Sequence, residues 1–382
     1  MGKKGVDALQ WGLIILAFAG GWLGYSHINQ VSEQAGWGLM RILGVTLVTI
    51  SAATIGLYLN IILHEAGHLV GGLLSGYRFA AFCVFNLTIL KENGKLTIKK
   101  YKAPGASGIC VLSPPDIRNG TYPFKLYVSG GFLTNFLVSA ACFSLFYYLA
   151  DTADFWARAF LVVGIICAFL GFINFLPLNA DTALSDGYLL FNIGKEKNTV
   201  TRRGCWSLFR FQALDAEGVR PRNIPAEVFN WVDIGDIRDI FILATACNQY
   251  KYLLDRQELN KARALMQALC DNLHNVSKMQ KMSCYFDLFF HALIDDECRQ
   301  EEMDRLYTKE LKDYAKAARS DISVQRIMYA YARLVLKDAA QAKEYLDLFN
   351  KTCAFSLWSG TSLVEKGLIA LIDTIADNRE NN

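Results

Sequence analysis

A short polar run interrupts a long apolar stretch of the chain: His64-Glu65-Ala66-Gly67-His68. On a helix, residues four apart share one face, so the imidazoles of His64 and His68 can bind a single metal ion. Glu65 would flank the water that completes the metal shell. Because an uncompensated Glu in hydrocarbon is costly, metal binding is favoured over a plain charged turn. The pattern indicates a zinc site with Glu65 as the general base.

A catalytic zinc ion needs a third protein ligand. Asn174 and Pro177 break an apolar segment, and Asp186-Gly187 opens another apolar run. Irregular backbone at membrane depth is tolerated where it lines a wet cavity, so an Asp here can reach the metal. We expect Asp186 to be the ligand, because Gly187 allows a close backbone approach. Asp181, in a short polar loop, is the competing candidate, and on local grounds alone Asp186 is also explained as a helix N-cap.

The elements that must position these residues are apolar segments long enough to cross a bilayer as helices. The first segment follows two lysines and is either a retained anchor, which we favour, or a cleavable signal peptide. The second carries the His64 motif, roughly 18 Å before the helix ends near Gly76, at about 1.5 Å per residue. The predicted segments are residues 8–25, 39–76, 124–149 and 157–178.

Basic residues set the expected orientation. The loop 77–123 is rich in Lys and Arg, whereas 26–38 contains neither. Basic loops stay in the cytosol, so the 77–123 loop, the amino terminus and everything after about residue 180 are expected there. We therefore expect an integral protein of a bacterial plasma membrane, with both termini cytosolic and the metal site nearer the cytosolic face.

Composition agrees with a membrane half and a soluble half. The 382 residues are 53% hydrophobic and 20% charged, and the charged residues are concentrated after about residue 190. The net charge of +3 is too small to indicate nucleic acid as a partner. The 10 cysteines form no CxxC pair and are expected to be reduced thiols. We place a transmembrane domain in residues 1–195 and a cytosolic helical domain in 196–382.

The predicted fold class is mainly α. Between the second and third segments, Asn93-Gly94 separates two β-prone runs and indicates a small β-hairpin. From about Pro225 the pattern is helical, and three similar windows suggest tetratricopeptide-like helix pairs, with an irregular helical bundle as the alternative. These windows are Gln257–Leu269, Gln300–Leu311 and Asp338–Phe349.

Three motifs in this order resemble the site-2 protease family of intramembrane zinc metalloproteases. The His64 motif matches the family's zinc motif, and Asn174-x-x-Pro177 followed by Asp186-Gly187 resembles the motif that supplies the third ligand. Gly131-Phe132-Leu133-Thr134-Asn135 is similar to the family's Gly-Pro-x-x-Asn stretch, with Phe132 in place of proline. The resemblance covers about residues 39–195. The gap from Pro177 to the Asp-Gly pair is longer than in the commonest family form, and no PDZ-like insert is visible.

The resemblance implies a zinc-dependent endopeptidase that cleaves a membrane-embedded peptide or protein near the cytosolic face of the lipid bilayer. His64, His68 and Asp186 would bind Zn²⁺, and Glu65 would be catalytic. We expect Asn135 and Asn174 to contact substrate, although a packing hydrogen bond explains Asn135 equally well. A cytosolic protein partner is expected for the helical domain. The alternative function is a non-catalytic membrane receptor or scaffold with a structural metal site.

Overall fold

This computed structural model describes residues 38–92, 94–101, 107–151, 154–180, 183–195, 198–237, 239–273, 276–295 and 300–381. The predicted segment 8–25 and the candidate ligand Asp181 lie outside these ranges. The described residues form two compact units. The first consists of the chain up to Gly71 together with Lys125–Asn192, and the second of Gly72–Phe124 together with Ile193–Asn382.

The first unit contains three helices that are long and apolar enough to cross a membrane. They are α1 (Leu39–Leu74), α2 (Lys125–Leu149) and α3 (Asp154–Phe175). Leu137 on α2 is 71% exposed and Tyr147 85%, an outward-facing apolar surface typical of lipid contact. Three of the four predicted segments are therefore helices of spanning length, and four spans are not confirmed.

The chain after α3 is irregular, in agreement with the expected break at Asn174 and Pro177. Strands β5 (Asn179–Ala180) and β6 (Ala183–Leu184) pair in antiparallel fashion, and helix α4 (Asp186–Ile193) follows. The short hairpin and α4 return the chain to the end of α3. The contact between the Phe175 and Phe191 rings, whose centroids are 5.6 Å apart, shows this return.

The second unit begins with a four-stranded antiparallel sheet in the order β3-β2-β1-β4. Its strands are β1 (Arg78–Val84), β2 (Leu87–Glu92), β3 (Lys95–Lys99) and β4 (Gly108–Ser113). Strands β2 and β3 form the predicted hairpin, with Gly94 at a positive φ of 80° between them. The sheet is larger than predicted, because β1 also pairs with β4.

Helix α5 (Thr199–Ala216) packs against this sheet and explains why the two segments belong to one unit. The Trp206 indole donates to the carbonyl of Pro115 at 2.8 Å, and Arg210 donates to that of Pro114 at 2.9 Å. The sequence predicts a single domain boundary near residue 195. The contacts instead group Gly72–Phe124 with the carboxy-terminal residues.

The rest of the second unit is helical, with a continuous core of buried apolar side chains such as Phe286, Phe289 and Phe290. The similar windows are not equivalent in structure: two of them fall mainly in single helices, whereas 300–311 spans the break between α9 and α10. The helices are α6 (Ile240–Asp255), α7 (Leu259–Asp271), α8 (Lys278–Ile294), α9 (Gln300–Leu306), α10 (Lys309–Ala317), α11 (Ile322–Tyr331), α12 (Ala339–Ala354) and α13 (Ser359–Asn381).

Candidate metal centre

His64 and His68 project from one face of α1, as their spacing predicts. Their Nε2 atoms are 3.2 Å apart, and the two rings meet edge to face with centroids 4.8 Å apart. Both side chains are largely buried, with exposed fractions of 14% and 12%. The two nitrogens therefore converge on one point inside the first unit.

Asp186 is the first residue of α4 and reaches the same point. Its Oδ2 lies 3.4 Å from the Nε2 of His64 and 3.4 Å from the Nε2 of His68. Ser185, the preceding residue, caps the amino terminus of α4, because its hydroxyl accepts from the backbone N–H of Tyr188 at 3.1 Å. The same hydroxyl donates to the carbonyl of Leu176 at 2.5 Å, which ties α4 to the end of α3.

Gly187 allows α4 to approach α3 this closely. A Cβ at this position would lie 1.8 Å from the carbonyl oxygen of Phe175, so any larger residue would push the helix away. The Asp-Gly pair thus has a steric explanation: the glycine permits the close approach, and the aspartate before it enters the site.

The three donor atoms fit a metal ion. Among the described residues, His64, His68 and Asp186 form a group that could hold one. Ligands around a tetrahedral zinc ion, with bonds of about 2.0–2.1 Å, lie about 3.3 Å from one another. The separations of 3.2 Å and 3.4 Å match that spacing. Asp186 Oδ2 is buried and has no hydrogen bond partner among the described residues, so a cation would supply the missing contact.

A backbone carbonyl fixes the tautomer of His68. Its Nδ1 lies 2.8 Å from the carbonyl oxygen of Tyr127 on α2. Since a carbonyl oxygen only accepts, Nδ1 carries the proton and donates. The lone pair is then on Nε2, which faces Asp186, and this is the arrangement that a histidine ligand needs.

Asn135 plays the corresponding part for His64. Its buried Nδ2 lies 3.2 Å from His64 Nδ1, and turning the amide over would place Oδ1 there instead. A carboxamide presents either oxygen or nitrogen with nearly the same shape. With the Asn135 oxygen facing Nδ1, His64 donates and keeps its Nε2 lone pair for a metal. That oxygen otherwise has no hydrogen bond partner among the described residues.

Gly131 lies directly against the two histidine rings. A Cβ on this residue would be 2.5 Å from His64 Cε1 and 2.5 Å from His68 Nε2. One turn of α2 thus supplies a gap at Gly131 and, four residues later, the amide of Asn135. From the sequence, Gly131 is identified only as the first residue of the Gly131-Phe132-Leu133-Thr134-Asn135 stretch. The four-residue spacing of Gly131 and Asn135 predicts that both lie on one helix face, and so could have indicated that Gly131 faces the site.

The other two predicted site residues, Glu65 and Asn174, are not among the three residues whose donor atoms converge. Glu65 is half-buried on α1 beside His64. Asn174 is half-buried near the end of α3, and its Nδ2 donates to the carbonyl of Leu170 at 3.1 Å, a bond within its own helix.

Sequence reasoning does not find two contacts that support the site, those of the Ser185 hydroxyl and the Tyr127 carbonyl. Ser185 is detectable in principle, since Ser directly before an apolar helix is a common N-cap. The Tyr127 carbonyl has no sequence signal, because any residue type supplies a carbonyl.

Comparison with known proteins adds no name to this arrangement: no family model, curated protein or solved structure matches the chain.

Proposed function

We propose that the chain is a zinc-dependent intramembrane endopeptidase similar to the site-2 proteases. The observation that supports this best is the convergence of three donor atoms, from α1 and α4, inside a unit built on helices of membrane-spanning length. Two of the donors lie on a helix, within a run that also carries Glu65. This donor set leaves room for a fourth position, as catalytic zinc sites require.

In this proposal, His64, His68 and Asp186 hold the zinc ion, while Tyr127 and Asn135 keep both histidines in the metal-binding tautomer. A bound zinc ion would act as a Lewis acid that polarises the attacking water and the scissile carbonyl. Glu65 accepts a proton from the attacking water and returns it to the leaving amine. Ligand and base roles are thereby divided between neighbouring residues.

The proposed substrate is a membrane-embedded peptide or protein cut near the cytosolic face. A substrate helix must unwind locally before cleavage, because its carbonyl groups are otherwise engaged in helix hydrogen bonds. The basic loop after α1 supports a cytosolic location for residues 77–123 and for both termini.

The experiment compares cells that make the wild-type protein with cells that make Glu65→Gln. Mass spectrometry of membrane peptides should find fragments cut within apolar segments only in the wild-type cells. Identical peptide sets in the two cells would contradict the protease proposal. They would favour the alternative, a non-catalytic receptor or scaffold in which the metal is structural.

A further inference from the structure

A cleft of about 900 Å³ opens in the second unit, and none of its lining residues belongs to the metal centre. Its lining comes from helices α5, α6, α11, α12 and α13 and the segments next to them, together with Asn86 between β1 and β2 and Lys100 directly after β3. We call this region the helical-domain cleft. A volume of this size accommodates an organic ligand or several residues of a peptide.

The acidic side chains of the helical-domain cleft are already engaged within the protein. Asp215 accepts from the backbone N–H of Thr361 at 2.6 Å and from its hydroxyl at 2.7 Å. Asp321 caps α11 by accepting from the N–H of Ser323 at 2.8 Å. Glu365 accepts from the guanidinium of the buried Arg326 at 2.6 Å. The buried carboxylates of Asp215 and Glu365 therefore have little remaining capacity to bind a cationic ligand, whereas the carboxylate of Asp321 stays exposed.

The basic side chains of the cleft form no ion pair with a described residue. They are Lys100, Lys251 and Lys351. The charge of Lys251 partly offsets the rise that burial causes in the pKa of Asp215, so Lys100 and Lys351 are the less engaged pair. Lys251 on α6 lies 5.8 Å from the ring of Phe211. The three ammonium groups come from three separate segments, so a ligand that carries several carboxylates can be contacted from more than one side.

Asn248 supplies a further donor at the base of the cleft. It is only 5% exposed, and its Nδ2 has no hydrogen bond partner among the described residues. A buried amide donor left without a protein partner is costly, so an acceptor from a ligand or a bound water is favoured there. Peptide carbonyl oxygens are acceptors of this kind.

The lining also offers apolar contact. Phe355 is 49% exposed, and Leu348, Ile322 and Trp358 line the same space. A purely inorganic anion would leave this surface unused. We propose that the helical-domain cleft binds an acidic peptide segment of a partner protein, with carboxylates on the lysines, a backbone carbonyl on Asn248 and an apolar side chain against Phe355.

The test measures binding to the full-length protein in a non-ionic detergent by fluorescence anisotropy. The probe is a fluorescein-labelled decapeptide with four glutamates and two leucines among glycines and serines. Its twin carries lysine in place of each glutamate. We expect the acidic peptide to bind at least tenfold more tightly than its twin, and equal affinities would overturn the proposal.

Charge-reversal variants locate the binding. The double variant Lys251→Glu/Lys351→Glu should weaken binding of the acidic peptide at least tenfold. The matched control, Lys316→Glu/Lys343→Glu, reverses two exposed lysines outside the cleft and should bind like the wild type. Equal loss in both double variants would show non-specific attraction and overturn the proposal.

Two further measurements separate peptide binding from attraction of any anion. Asn248→Leu should weaken binding at least threefold without lowering the thermal midpoint, because the Nδ2 makes no internal hydrogen bond. Inorganic phosphate in tenfold excess over the peptide should not displace it. Displacement by phosphate, or full affinity in Asn248→Leu, would overturn the assignment of a peptide ligand.

Discussion

Gly131 shows how the absence of one methyl group permits the close approach of His64 and His68 in the proposed metal centre. A Cβ there would lie 2.5 Å from atoms of both histidine rings. We expect Gly131→Ala to displace the rings and to lower zinc affinity about tenfold or more, in the range found when the support of a metal ligand is lost. Competition with a zinc chelator measures this affinity.

The control for this prediction is Gly44→Ala. Gly44 lies on α1, which also carries the histidines. Apart from the adjoining backbone of α1, no atom of the described residues lies within 4 Å of the position that its Cβ would occupy. Its zinc affinity should equal that of the wild type. If Gly131→Ala binds zinc as tightly as Gly44→Ala, the two rings do not occupy the positions described.

Asn135 is expected to act through His64. Asn135→Leu removes the amide whose oxygen, when turned toward His64 Nδ1, accepts a hydrogen bond from it, and should lower zinc affinity about 10–100-fold. Asn135→Asp keeps an oxygen acceptor of nearly the same shape and should retain most of the affinity. Zinc titrations of the two purified variants distinguish this role from simple packing, which would make leucine the better tolerated residue.

Sequence reasoning reaches the ligand residues more readily than their supports. His64, Glu65 and His68 form a local pattern on one helix, and Asp186 follows from the break after α3. Pairing Asn135 with His64 requires knowing how two helices pack when the two residues are 71 positions apart in sequence. A contact of this kind has no local sequence pattern. The sequence alone therefore does not decide whether Asn135 makes a packing hydrogen bond or contacts substrate.

Helix α8 contributes a buried histidine to the core of the second unit. His291 accepts from or donates to the Tyr250 hydroxyl at 3.1 Å, and burial together with nearby Arg326 lowers its pKa to about 3. In the unfolded chain its pKa is near 6.5, so the unfolded state binds more protons between about pH 3 and 6.5. This group therefore makes the fold less stable as the pH falls through that window.

We expect His291→Gln to reduce this acid sensitivity, by roughly 1.4 kcal/mol for each pH unit in that window. Urea unfolding of both proteins in detergent at pH 7 and pH 4 measures it. Burial raises the pKa of nearby Asp287 to about 7, which acts in the opposite direction, but Asp287 is present in both proteins and its contribution largely cancels. An equal loss of stability in the two proteins would contradict the buried, neutral state of His291.

At the level of elements, long apolar runs predict helices well. The β2–β3 hairpin is also predictable, because Asn93-Gly94 is a local turn signal. Strand β4 is not predicted, since its partner β1 is distant in sequence and no local turn signal joins the two strands. The three similar helical windows share composition, but a break after Leu306 separates one of them into two helices.

The arrangement of the whole chain across the membrane is expected from the distribution of basic residues. In a cysteine-free background, cysteines placed at Lys99 and at Asn381 should resist a membrane-impermeant thiol reagent added to intact cells. A cysteine at the exposed Asp151, between α2 and α3, should react under the same conditions. Strong labelling at Lys99 or Asn381, with none at Asp151, would reverse the orientation and the proposed face of cleavage.

The zinc content of purified protein tests the central claim most directly, because it separates the ligands from the base. We expect about one zinc ion per chain in the wild type, in Glu65→Gln and in Asp181→Ala, and almost none in Asp186→Ala. Elemental analysis after removal of loosely bound metal gives this number. Full zinc in Asp186→Ala together with loss in Asp181→Ala would contradict the ligand assignment, and a wild type without zinc would contradict the metal centre itself.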